Sequence, residues 1–156
     1  MIKLNFYVQS KNWSRRMSKV TKITKEVVKK KIDFNFDKNI NYYLNIILLN
    51  DKKMKKLNLK YKRKNKTTDV LTFVSTLKNI NYNKTKYCDI FFSAETIKLY
   101  SKLNKISFYD HFTHLLVHSF LHINGYMHKK AKDFIKMQKA EIEILNKIGL
   151  QNPYLL

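Results

Sequence analysis

Along residues 2–8 apolar and polar side chains alternate (Ile-Lys-Leu-Asn-Phe-Tyr-Val), the period of a half-buried strand. Over 14–32 the period becomes helical: Met17, Val20, Ile23, Val27, Val28 and Ile32 form one stripe, with a lysine-rich outer face. Residues 42–49 are β-branched, aromatic and leucine-rich and read as a second strand. Asn50 or Asp51 then caps a short helix to about residue 60. A basic loop at 61–66 precedes a strand at Val70–Val74, a polar loop at 77–86 and a strand at Asp89–Phe92. Ser93 is placed to cap a helix running to about Asn104. Ser107 and Asp110 have capping-box spacing and open the most apolar helix, about 108–124, which Gly125 ends. A last helix over 131–148 is expected to bury Phe134, Ile135, Met137, Ile142 and Leu145 and to stop at Gly149. With no repeat or linker, the pattern predicts one α+β (mixed α/β) domain over 1–156, a sheet of about four strands packed with about five helices.

Composition narrows the class. A chain of 156 residues with 44% hydrophobic content can enclose one core. No apolar run reaches the roughly 18 residues of a membrane span, so no membrane partner is expected. Met1–Asn5 lacks the long apolar stretch of a secretory signal. Cys88 is the one cysteine, which excludes an internal disulfide and fits a reducing, cytoplasmic location. The net charge of +21 has two readings. One is a polyanionic partner such as RNA. The other is genomic: 29 of the 32 basic residues are lysines, and Lys, Asn and Ile can each be encoded by AT-only codons.

Chemistry concentrates in one segment, because all five histidines lie between His111 and His128. His118 and His122 are four apart within the apolar helix and share a face. Gly125 lets the chain turn back, so that His128 supplies a third imidazole from outside the helix. This puts a metal site at the end of the central apolar helix. Three neutral imidazoles with an open fourth position describe a catalytic zinc site, one ion per chain, whose water titrates near neutrality. Nickel, copper and iron also accept imidazole. His114, one turn earlier, reads as a group behind the ligands or facing substrate, and His111 as exposed at the helix start. The spacing also occurs in metzincin proteases, but Ser119 stands where their general-base Glu would be, which argues against peptide hydrolysis.

His118-Ser-Phe-Leu-His122-Ile-Asn-Gly125-Tyr-Met-His128 resembles the signature of the YbeY endoribonuclease family, His-Gly-x-Leu-His-Leu-x-Gly-Tyr-Asp-His. Leu57-Asn58-x-x-Tyr61-Lys62, Thr68-Asp69-Val70-Leu71-Thr72-Phe73 and Cys88-Asp89-Ile90-x-x-Ser93 resemble further family motifs in the right order. His114, Met137, Glu141, Leu145 and Gly149-Leu150 match as well. The resemblance implies a zinc-dependent, single-strand-specific endoribonuclease in rRNA maturation. Its partners would be rRNA and the small ribosomal subunit, with roles at the 3′ end of small-subunit rRNA and in ribosome assembly or quality control. Oligomeric state is not indicated.

The chain departs from the family pattern at Ser119 for Gly, Met127 for Asp, Lys62 for Arg, Thr67 for Pro and Cys88 for Gly. Lysine keeps a charge but not the planar fork that grips phosphate. Met127 cannot orient a ligand histidine as a carboxylate does. Alone, the 60–66 run reads as a solvated basic loop. Between two family motifs it supplies Lys62 and Arg63 as catalytic cations, joined by His114, and Lys60, Lys62, Arg63, Lys64 and Tyr126 as RNA contacts. Tyr61 and Phe73 are further candidates for base stacking, and Asp69 and Asp89 for support of the site. The rival reading is a weakly catalytic assembly factor that binds rRNA, with zinc in a structural role.

Overall fold

The computed structural model describes residues 1–78 and 83–155. β1 (Ile2–Val8), β2 (Ile40–Leu49), β3 (Val70–Lys78) and β4 (Lys84–Ser93) form one sheet in the order β1-β2-β4-β3. β1 and β4 flank β2 in parallel, and β3 closes the far edge antiparallel to β4. Strand side chains alternate between faces, so Leu44, Ile46 and Leu48 of β2 and Cys88, Ile90 and Phe92 of β4 point to one side, where all are buried.

Helices cover that side. α1 (Met17–Lys29), α3 (Ala94–Leu103) and α5 (Ala131–Ile148) all pack against α4 (Phe108–Ile123), which in turn lies on β3. α4 buries Phe112, Leu115, Leu116, Val117, Phe120, Leu121 and Ile123, as a helix surrounded by protein must. Ser107 caps it by accepting from the Asp110 amide at 3.0 Å. Trp13, in a 3-10 turn over Lys11–Trp13, is fully buried and donates from Nε1 to the Leu49 carbonyl at 2.8 Å. α2 (Asp51–Lys62) sits on the opposite face, capped by Asn50 and anchored by fully buried Met54. No helix among the described residues is long and apolar enough to cross a membrane.

The expected four strands and five helices are all present. Several bounds and environments differ. The 77–86 loop is shorter than expected: Leu77 and Lys78 belong to β3 and Lys84–Lys86 to β4, while 79–82 lie outside the described residues. These strand ends are held by backbone pairing and so need no apolar alternation. In α5 the buried stripe is Met137, Glu141, Ile144 and Leu145, whereas Phe134 and Ile135 are exposed. Those two lie in the first two turns, before the helix meets the core. Ser93 makes no cap bond with its side chain; its hydroxyl donates to Asp51 Oδ1 at 2.5 Å.

Cys88 is fully buried on β4, and burial pushes its thiol up to about 12. The native protein is therefore expected to react negligibly with a thiol reagent at pH 8 and to yield one thiol in denaturant. Fast native labelling would contradict this environment.

Candidate metal centre

α4 sets the first two imidazoles. His118 and His122 are one turn apart, and their Nε2 atoms approach to 3.0 Å. After Ile123 the chain leaves the helix through Gly125, whose φ of +93° lies in the left-handed region that side chains avoid. That turn returns His128 to the pair, with its ring centroid 4.7 Å from that of His122 and 5.5 Å from that of His118. Each of the three offers a ring nitrogen, and these lie within 4.8 Å of one another, so the group can hold one metal ion.

The remaining ring nitrogens of the helical pair are tied down. His122 Nδ1 bonds to the Tyr126 carbonyl at 2.9 Å, and His118 Nδ1 bonds to Glu141 Oε1. Both bonds leave Nε2 as the atom aimed at the shared point. Burial and the neighbouring His118 and His128 hold the His122 imidazole down at about 4, so it is neutral and ready to ligate at pH 7.

Glu141 is the hub behind the trio. It is 1% exposed and bonds to His118, to His114 Nε2 at 3.0 Å and to the Tyr154 hydroxyl. Burial opposes its charge, but the bonds from His114, His118 and Tyr154 outweigh that and hold its carboxyl at about 2. The Tyr154 phenol is pushed above its ordinary range by burial and by that carboxylate.

A cavity of about 720 Å³ opens from the trio. His118, His122 and His128 line it together with Lys62, Lys64, Lys66 and Lys129, and with Val70–Thr72 of β3. Its walls are held from below. Asn58 donates to the Lys66 carbonyl at 2.8 Å, and Asp51 accepts from Thr67 as well as from Thr96 of α3, so the loop after α2 is pinned at Lys66 and Thr67. Burial works against the Asp51 charge, but hydrogen bonds from Ser93, Thr96 and Thr67 hold its carboxyl below the usual range. Thr72 donates to Ser119 at 2.9 Å, so the Ser119 hydroxyl ties α4 to the edge strand.

The other candidates fall into distinct places. Arg63 is the left-handed residue closing α2, with φ +56°, and is not among the cavity-lining residues; nor is Lys60, whose Nζ lies 5.1 Å from the Tyr61 ring centroid. Tyr126 packs its ring against the core and serves the centre through its carbonyl. His114 reaches the trio only through Glu141. The expectation of an exposed His111 is corrected: it is 3% exposed, stacked on Tyr100 at 4.0 Å and bonded to Asp69 Oδ2 at 3.1 Å. Asp69, just before β3, supplies that bond from a distant part of the sequence. Asp89 accepts from Asn45 on the far side of the sheet, away from the trio. Glu141 is the functional residue that spacing alone missed as a partner of the ligands. Its trace is an acidic residue within the stripe Met137, Glu141, Leu145, where a buried carboxylate demands partners.

A model of the family described as endoribonuclease YbeY matches residues 6–149. Among relatives, endoribonuclease YbeY of Ehrlichia chaffeensis is 34% identical over 99% of this chain and 97% of its own. That of Bartonella quintana is 32% identical over 99% and 98%, and that of Anaplasma phagocytophilum 37% identical over 74% and 73%. The solution structure of TM1509 from Thermotoga maritima shares the fold, with a TM-score of 0.54 and 22% identity over 96% of this chain and 92% of that one.

Proposed function

Because the chain belongs to the YbeY endoribonuclease family, we propose that it is a zinc-dependent, single-strand-specific endoribonuclease of rRNA maturation, acting near the 3′ end of small-subunit rRNA and in ribosome assembly and quality control. One observation carries the chemistry: three imidazole nitrogens within 4.8 Å of one another open into a cavity walled by lysines. His118, His122 and His128 would hold the ion, and the all-imidazole donor set with two fixed tautomers fits zinc. When bound, zinc supplies a Lewis acid for the phosphodiester and for water.

The chain does the rest. Lys62, on the cavity wall, offsets the charge that develops on the phosphoryl oxygens, and Lys64, Lys66 and Lys129 draw the RNA backbone in. Glu141 holds His118 in orientation, while His114 and Tyr154 fix Glu141. The unpaired, buried Cys88 is in keeping with a cytoplasmic protein.

The test is cleavage of single-stranded RNA with and without added zinc, beside a His118→Ala control. Metal-dependent products from the wild type alone support the reading. RNA binding with no such products favours the assembly-factor alternative, which Met127 at the family's Asp position and Lys62 at its Arg position keep in play. Lys62→Ala is expected to lower kcat on RNA about tenfold to a hundredfold, and Lys62→Arg to retain or raise it; equal rates for all three would remove Lys62 from the mechanism.

A further inference from the structure

The sheet has a second face, and α2 covers only part of it. Ile47, Leu49 and Leu71 are buried there alongside Met54 of the helix. Beyond them the register lays out two rows that are open except at Phe73, where Tyr61 of α2 packs. Lys3, Tyr43, Tyr87 and Ser75 cross the sheet in one, and Asn5, Asn45, Asp89 and Phe73 in the next. Tyr43 and Tyr87 are stacked, with ring centroids 5.0 Å apart and planes 15° from parallel, and Tyr87 is 38% exposed. The Lys3 ammonium stands 5.7 Å from the Tyr43 ring centroid. In the second row Asn5 donates to Asn45 at 3.0 Å and Asn45 to Asp89 at 2.8 Å, a ladder of amides and a carboxylate set between aromatic rings.

This face runs into the cavity around the edge of β3. Leu71 and Thr72 line the cavity, and Phe73 is the next residue along the strand. Lys62 lines the cavity too, yet its Nζ lies 5.6 Å from the Phe73 ring centroid, and Tyr61 packs on Phe73 at 5.2 Å. A polymer whose phosphate meets the imidazoles thus has rings and cations within reach on the far side of one strand.

We propose that the open sheet face is a platform for single-stranded RNA, on which bases flanking the cleavage point stack against Tyr43, Tyr87 and Phe73 while the Asn45–Asp89 ladder meets base edges. The inference rests on the nuclease reading and names the path its substrate takes. Three features select this occupant. Rings on a four-stranded sheet present π-faces that any base can use. The lysines beside the rings and the net charge of +21 suit a phosphate backbone. The amide and carboxylate row breaks up the apolar centre that a protein partner would need.

The experiment is fluorescence anisotropy with a 5′-fluorescein-labelled, unstructured A/U-rich 12-mer RNA, at 4 °C and fixed salt, using the full chain and checking RNA integrity on a gel. Wild type is compared with Tyr43→Ala/Tyr87→Ala and Tyr43→Phe/Tyr87→Phe, each verified by thermal melting. A 2-aminopurine base in the same RNA reports stacking. The alanine pair is expected to weaken binding about tenfold or more and to abolish 2-aminopurine quenching, while the phenylalanine pair, which keeps both rings, stays within about twofold of wild type. Unchanged affinity and quenching in the alanine pair overturn the platform; if wild type still cleaves, the nuclease reading stands and the face belongs to another partner, such as a protein. Equal losses in both pairs also overturn it, since hydroxyls and not rings would then matter. A wild type that neither binds nor cleaves single-stranded RNA overturns both readings.

Discussion

Replacing His122 by alanine is expected to abolish metal loading, from about one ion per purified chain to near none, and to cut RNA cleavage by at least about a hundredfold. Two imidazoles do not make the three-ligand set of a catalytic zinc site, and changing even a group that only orients a ligand typically costs 10- to 100-fold. His122 is the most informative of the three to remove. Its Nε2 is 3.0 Å from that of His118, and its ring lies closer to that of His128 than the His118 ring does. The substitution leaves Glu141 and its bonds to His114, His118 and Tyr154 intact, so the fold should survive. Elemental analysis and a cleavage assay on the same preparation check the result. Full metal content in the variant would remove His122 from the ligand set.

The second large effect belongs to Glu141. Glu141→Gln keeps the volume but not the charge that three partners point at, and metal affinity should fall about 10- to 100-fold, read by competition with a chromogenic chelator. Stability carries a separate signature in metal-free protein. The carboxyl titrates at about 2 when folded, against an ordinary value of 4.5. The unfolded chain therefore takes up its proton first as pH falls. The stabilisation is complete above about pH 4.5, declines below it, and is gone once pH reaches the folded value. A gap of that size is worth roughly 3 kcal/mol, on the order of 1.4 kcal/mol for each pH unit. Denaturant melts of wild type and Glu141→Gln, stepped from pH 6 to pH 2, should converge as the solution becomes acidic. Parallel curves across that range would show that Glu141 does not carry this dependence.

The trio was legible in the sequence because its geometry is local. Two residues four apart on a helix share a face whatever surrounds them, and a glycine three residues after His122 explains the reversal that brings in His128. Strand order was not legible, since nothing in residues 2–8 or 70–78 states which neighbour each strand takes; that β4 inserts between β2 and β3 emerges only from packing. The same limit hid the environment of His111. At a helix start it reads as exposed, and its burial depends on Asp69 and Tyr100 from other elements. Phe134 and Ile135 read as core because they are apolar, yet the contact of α5 with α4 begins a turn later. Lys62 stands at the family's Arg position and Arg63 is its neighbour; the left-handed turn at Arg63 separates them, and of the two only Lys62 lines the cavity.

Two ligands ride on one rigid helix, while His128 stands on a solvent-facing segment beyond the Gly125 turn, where no heavy atom would touch an added Cβ. The three contacts are therefore unequal in time as well as in place. His128 is carried by exposed residues outside any helix, whereas the backbones of His118 and His122 are held in fixed register by α4. Were an ion bound as proposed, its exchange would require only local opening at His128 and not global unfolding.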